Sequence, residues 1–460
     1  MNIPVFFSVL FLLQIICFFV GRKASKQMDS QEDYFLAGRG IRFFPLMMTL
    51  VATQVGGGLV LGSAEEAYKY GWYVLLYPCG SCLGLLLLAA GIGRRMSTFK
   101  VSTVAQLFEV VYQSPRLKKV ASSFSIISLF MILVAQVIAS KKFMLSLGVD
   151  QDILFVAFWG IVILYTVMGG LKAVVATDIV QATFFIAVFF LCFAYTLFAE
   201  TTPTITALSS GIGGDFEFDQ TKLCGWLLMP LLFMVIEQDM GQRCFAAKSG
   251  KVVSLASGCA ALCTFLVCLI PVYYGILGKS LGVEALPGSS ILMDVIRAST
   301  NPVITAFVGC AILAAIISTA DSLINAISSN VAQDFDFTLS SRLRSVQASR
   351  WLTCGIALGA LLCSFAFNNV VDLLILSYEL SVSCLFVPVF AALFIRQGNK
   401  LSASYAIALG AIGFWLFRLV PLEVLPKEIA SLACSLTGYA LGELQTRVFL
   451  KPATIAEDRF

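Results

Sequence analysis

The chain has 460 residues, of which 59% are hydrophobic and 13% charged, and its mean hydropathy is +0.90. Soluble domains carry about 25% charged residues, so a soluble enzyme is excluded, although the length alone allows one to three domains. With no histidine and a net charge of only +4, a Ser/His/Asp triad, a His-ligated metal and an imidazole relay are excluded as well, and nucleic-acid binding is disfavoured because the basic residues form no stripe with interleaved aromatics.

A membrane-crossing helix needs about 20 apolar residues. Thirteen stretches meet this, at 3–21, 42–66, 71–93, 120–140, 152–168, 179–199, 223–240, 252–277, 303–332, 351–367, 370–395, 402–420 and 428–446. They are continuously apolar and do not alternate, which excludes an outer-membrane barrel. The expected fold is therefore an all-α integral membrane protein with 13 transmembrane helices, with no connection long enough for a separate catalytic domain. The first stretch has no Lys or Arg before it and no small-residue cleavage site before Arg22, so it reads as a retained helix rather than a signal peptide. Of the 31 Lys and Arg, 23 fall in the odd-numbered connections and the C-terminal tail. This places the N-terminus outside and the C-terminus in the cytoplasm, in a plasma membrane of the bacterial inner-membrane kind. Two connections, around 101–109 and 291–296, look like short amphipathic helices lying at the interface.

Taken in chain order, the second span is the first unusual one. It holds Thr53, Gln54, Gly56, Gly57 and Gly58 in sequence, and each glycine costs about 1 kcal/mol in a helix. A backbone that unwinds in lipid must turn its carbonyls to protein, water or an ion. The run is either a discontinuous helix offering oxygens to a cation and a solute or a site of close helix packing. The Cys79-Gly80-Ser81-Cys82 pair in the third span lacks the partners of a metal site and reads as packing. After the fifth span, Gly169-Gly170 is turn chemistry, and Asp178 is either an N-cap or a functional carboxylate. In the seventh span Pro230 should kink the helix. The segment Glu237-Gln238-Asp239-Met240-Gly241-Gln242-Arg243 reads as a charged cytoplasmic end, either solvated or pairing Arg243 with a carboxylate during gating. Gly275 to Ser280 ends in GKS, but Tyr273 stands where a phosphate loop needs its first glycine, so ATP-driven transport is unsupported.

The ninth span brings Ser318, Thr319, Asp321 and Ser322 within about one turn. A carboxylate at mid-membrane costs about 2.5–3.5 kcal/mol and needs a partner. Hydroxyl and carboxyl oxygens without sulfur or imidazole suit Na⁺ or another hard cation. In the eleventh span Glu379 is either a hydrogen-bonded structural carboxylate or a contact to solute or ion.

Four blocks together resemble the sodium:solute symporter family. They are Asp33-Tyr34-Phe35-Leu36-Ala37-Gly38-Arg39; Gly169-Gly170-Leu171 through Thr177-Asp178 and Gln181; Gln242-Arg243 with Ala246-Ala247-Lys248; and Ala314-Ala315 through Ser318-Thr319-Ala320-Asp321-Ser322. The resemblance implies a LeuT-like 5+5 inverted repeat. Residues 42–200 would form repeat 1 (helices 2–6) and 201–396 repeat 2 (helices 7–11). Residues 1–41 would supply the first helix and a cytoplasmic loop, and 397–460 helices 12 and 13 with the tail. It implies a sodium site on the carbonyls of Ala52, Val55 and Ala315 and the hydroxyls of Ser318 and Thr319. A second sodium site or exit path would lie near Ser318, Asp178, Asp321 and Ser322.

The chain also departs from its relatives. Proline carriers have an Asp where Gln54 stands, and the aromatic gate position of sugar carriers falls near Phe233, which has no phenolic oxygen. Thr53, Gln54, Gly56, Gly57, Phe233 and Glu379 are the candidate solute contacts. The function implied is sodium-coupled symport of a small polar organic solute (amino acid, carboxylate, vitamin or sugar) with Na⁺ as coupling ion. The lipid bilayer is the surrounding partner, no obligatory protein partner is evident, and the chain is not an enzyme. Proton coupling through Asp178, Asp321 and Glu379, or a transport-inactive sensor of the same fold, are the alternatives.

Overall fold

The computed structural model describes residues 1–25, 31–147, 152–198, 220–284, 290–335, 346–367, 370–395, 397–420 and 425–450. The regular structure described is helical throughout, apart from one isolated parallel bridge between Ile41 and Ala247. Among the described residues, eight helices are long and apolar enough to cross a membrane, and four shorter apolar helices accompany them. The basic tail 451–460 and Arg396, which the orientation argument uses, lie outside the described residues.

The chain opens with α1 (Ile3–Ser25), whose outer face exposes Phe7, Phe11, Leu12 and Phe19, as a lipid-facing helix does. The second apolar stretch is broken. It starts as α2 (Phe43–Gln54) and resumes as a wide π turn over Gly58–Gly62 followed by α3 (Ser63–Tyr70). Next come α4 (Leu76–Leu87) and α5 (Pro115–Ser146), the latter started by Pro115 at its first position and by the Ser114 side chain accepting from the Leu117 amide. The helical run α6 (Asp152–Phe198) has two arms joined at Gly170, where φ is 55°. A side chain there would meet the Tyr34 carbonyl at 2.5 Å, so the Gly-Gly turn is set by both backbone sign and crowding.

The seventh stretch divides too, into α7 (Met229–Ile236) and α8 (Gln238–Ala246). The break lies at Glu237, whose extended backbone has ψ 125°. Pro230 falls in the first turn of α7, directly after a π turn over Cys224–Leu228. The π turn just before it accommodates the missing N–H, so the main discontinuity comes seven residues later than the proline suggests.

The long α9 (Gly250–Ser280) leads to α10 (Ile291–Ser299), an amphipathic helix that buries Ile291, Leu292, Met293, Val295 and Ile296. By contrast, the segment 101–109 is no continuous amphipathic helix. Only Gln106–Val110 is helical, and Val101, Thr103, Val104, Leu107 and Phe108 are buried in the protein. The physical reason is polar anchoring, since the Val104 amide and the Ser102 carbonyl both bond the amide group of Gln238.

At the centre stands α11 (Pro302–Asp334), capped by the Asn301 side chain on two amides and buried along nearly its whole length. It packs against α1, α2, α5, α6 and the helix α12 (Val346–Cys363). The remaining helices are α13 (Val370–Ser381), α14 (Val387–Phe394), α15 (Lys400–Leu419) and α16 (Lys427–Gln445).

Candidate functional site

The site is built where the break after α2 meets the middle of α11. Glycine runs cannot hold a helical ladder cheaply, and at Val55 the backbone leaves the helix (ψ 76°). The Gly56 amide turns to the Gln54 carbonyl at 2.9 Å, and the Gly57 amide donates to Gln136 Oε1 at 2.7 Å. The Ala52 carbonyl is taken instead by α11. Ser318 Oγ donates to it at 2.9 Å and Thr319 Oγ1 at 3.1 Å, and the same two hydroxyls lie 2.9 and 3.2 Å from the Ala315 carbonyl.

Close packing and discontinuity, the two readings of the glycine run, coincide here. A Cβ at Gly56 would stand 2.6 Å from Thr319 Oγ1, and one at Gly57 2.5 Å from Ala139 Cβ. The glycines admit the neighbouring helices and let the backbone unwind at the same place. The structure thus brings Ala52, Ala315, Ser318 and Thr319 together, with Val55 at the helix break itself. Their oxygens are neutral, hard donors, the kind that suits an alkali cation.

Beside this cluster is a cavity of about 30 Å³. Thr53, Gln54, Gly56 and Thr319 line it, joined by Tyr77, Ser81, Gln136, Glu237, Asp239 and Tyr378. Phe233 is not on the wall itself but stacks behind Tyr378, ring centroids 4.7 Å apart. Gln54 Nε2 donates to Glu237 Oε2 at 3.3 Å, tying the first helix break to the second.

A third group is a buried ion pair. Arg243 and Asp178 both have fully buried side chains, with Nη2 3.3 Å from Oδ2. The Thr49 hydroxyl donates to Asp178 at 2.5 Å and accepts from Arg243 Nε at 2.9 Å. Arg243 Nη2 also donates to Ser322 Oγ at 2.6 Å, and Nη1 to the Asp239 carbonyl at 3.0 Å. The seven residues from Glu237 to Arg243 are all buried, so they are no solvated helix end. Asp178 and Ser322 are joined through a guanidinium. Asp321 is turned elsewhere, accepting from the Thr166 hydroxyl at 2.5 Å.

Glu379 requires a correction. It does not line the cavity, and its carboxylate lies 3.2 Å from Arg418 Nη2 and 3.1 Å from Lys427 Nζ. Two cations from α15 and α16 hold it, which makes it a structural tie rather than a solute contact. Glu379→Gln should lower the melting temperature in detergent while shifting the half-saturating solute concentration by less than about twofold (~0.4 kcal/mol).

The cavity also takes in Tyr77, Gln136 and Tyr378, which the sequence did not mark, and Glu237 and Asp239, which it marked as a charged helix end. Gln136 had a signal, as a lone polar residue inside an apolar span.

The resembling blocks also meet in space. Arg39, from the first block, donates to the carbonyls of Phe245 and Val101, while the Ile41 amide bonds the Ala246 carbonyl and the Lys248 amide returns to Ile41. Gln242 Nε2 reaches the Phe35 carbonyl at 2.6 Å.

The model of the sodium:solute symporter family matches residues 34–410. The chain belongs to this family. Among its relatives is the human high affinity choline transporter 1, 24% identical over 87% of this chain and 73% of that protein. The Bacillus subtilis osmoregulated proline transporter OpuE is 25% identical over 85% and 84%. A Drosophila melanogaster choline transporter is 25% identical over 70% of this chain, a match spanning only 55% of that relative's length.

Among solved structures, a Na⁺-coupled sialic acid symporter in a substrate-bound outward-open state has a TM-score of 0.78 at 17% identity, covering 97% and 98% of the two chains. The nucleobase-cation-symport-1 transporter Mhp1, in a closed conformation, follows at 0.59 and 14%, covering 90% and 95%. These similarities fix the fold as that of LeuT-like transporters. The relatives are transporters and not enzymes, in line with the expectation from composition.

Proposed function

We propose that this chain is a sodium-coupled secondary transporter that imports a small polar organic solute by alternating access. The observation that carries the reading is the Ala52 carbonyl, released by the helix break and met by the hydroxyls of Ser318 and Thr319. Sodium, the cargo ion, would be held by the carbonyls of Ala52, Val55 and Ala315 with these two hydroxyls. A cation there ties α2 to α11, and coupling follows if the ion favours one arrangement of that pair over the other.

We read the stoichiometry as one sodium, because the Arg243 guanidinium already occupies the oxygens that Asp178 and Ser322 would otherwise offer a second ion. The remaining framework completes the proposal: thirteen spans, inverted repeats at 42–200 and 201–396, an outside N-terminus, a cytoplasmic C-terminus and a bacterial inner membrane. A cavity of about 30 Å³ is far below the ~300–1,000 Å³ of a ligand pocket. The walls must therefore part to admit a solute.

One sodium moving inward down ~100 mV releases about 2.3 kcal/mol. A tenfold gradient adds ~1.4 kcal/mol, and together they hold a neutral solute roughly 500-fold concentrated. The test is uptake by the purified full chain in proteoliposomes, with labelled choline, proline and sialic acid as first probes and potassium as the control cation. An inward sodium gradient should drive uptake of a solute, and collapsing the gradient should stop it. Uptake that follows a proton gradient with sodium absent would replace sodium by protons, and no accumulation under either gradient would favour a sensor.

A further inference from the structure

We propose that the carboxylates of Glu237 and Asp239 receive the positively charged nitrogen of the solute, so that the transported compound is a small ammonium. This rests on the transport reading above and names the class of solute that its cavity takes.

Residues two apart on a helix do not face one another. Here the extended backbone at Glu237, between α7 and α8, lets both side chains line one cavity. They are 6% and 0% exposed, and their carboxyl groups lie against each other.

Their protein partners fall short of two charges. Glu237 Oε2 accepts from Gln54, and Asp239 Oδ1 from the Met240 amide at 2.8 Å. Asp239 Oδ2 is buried with no donor among the described residues. The nearby guanidinium of Arg243 is committed to Asp178, Thr49, Ser322 and the backbone carbonyl of Asp239, not to its carboxylate. Among the described residues no Lys or Arg nitrogen stands at ion-pair distance from either carboxylate. Two adjacent buried carboxyl groups cannot both stay ionised alone: the pair either shares a proton or takes up a cation.

The rest of the wall selects which cation. Tyr77 and Tyr378 face the same space, with Phe233 stacked on Tyr378. Aromatic faces attract a desolvated ammonium, whereas sodium is served by the oxygen cluster at Ala52. A solute carboxylate would meet like charge.

The experiment uses the full chain in detergent with sodium present. Its probes are choline, its neutral isostere 3,3-dimethylbutan-1-ol, ethanolamine and putrescine, and thermal stabilisation is the readout. At least one of the three ammonium compounds should stabilise the protein and the alcohol should not. Glu237→Gln and Asp239→Asn should each raise the midpoint concentration about tenfold or more (~1.4 kcal/mol), with sodium's own stabilisation unchanged.

The proposal is overturned if the alcohol acts as well as choline, or if none of the three ammonium compounds acts. It is equally overturned if the two variants change only the pH dependence of uptake, which would make the pair a proton carrier, or only the sodium midpoint, which would make it an ion ligand. Repeating the series in potassium separates this inference from the coupling reading. Ammonium binding that survives without sodium leaves the pair's role standing while the sodium reading falls.

Discussion

Thr319→Ala is expected to raise the sodium concentration for half-maximal uptake about tenfold, the equivalent of ~1.4 kcal/mol, with a smaller change in maximal rate. Ser318→Ala should act in the same direction, and the double variant should lose sodium-driven uptake altogether. Thr319 Oγ1 stands 3.1 Å from the Ala52 carbonyl and 3.2 Å from that of Ala315, so its removal takes one oxygen from the proposed sodium site and opens the junction of α2 with α11. Thr319→Ser keeps the oxygen and should keep the sodium midpoint within about twofold (~0.4 kcal/mol), which separates an ion ligand from a packing methyl. The measurement is initial uptake rate against sodium concentration at fixed solute. An unchanged midpoint in Thr319→Ala would remove this hydroxyl from the ion site.

How much of this the residues disclose in advance depends on whether the signal is local. The break after α2 is legible because three successive glycines each weaken a helix by about 1 kcal/mol. The Ser318–Thr319 pair is legible because its spacing and its apolar surroundings mark a polar spot inside a membrane helix. The second break is not. Nothing at Ile236-Glu237 resembles a breaker, and the proline that does resemble one is absorbed by the π turn just before α7.

Burial of the segment from Glu237 to Arg243 was hidden for a related reason. Charges usually mark a helix end in water, and what makes Arg243 tolerable inside is a partner, Asp178, 65 residues away. Glu379 misleads in the opposite sense. Its depth in an apolar span suggests a site, yet Arg418 and Lys427 reach it from helices that sequence spacing does not place beside it.

The same long-range pairing sets the other large effect. Arg243→Gln should abolish uptake and lower the melting temperature sharply, because stranding a buried carboxylate costs about 3–5 kcal/mol. Asp178→Asn in the same chain should restore much of the melting temperature, since a neutral amide needs no guanidinium. Recovery would stay incomplete, because Arg243 also holds Ser322, Thr49 and the Asp239 carbonyl. Arg243→Lys should not substitute, as an ammonium lacks the planar fork that reaches several partners at once. The pair also bears on ion number. If Arg243 is the resident cation at Asp178 and Ser322, the Arg243→Gln protein should gain a second, weaker phase of sodium-dependent stabilisation that vanishes again when Asp178→Asn is added. A wild-type protein that already shows two sodium phases, both lost in Asp178→Asn, would mean that the guanidinium and a second sodium share this site.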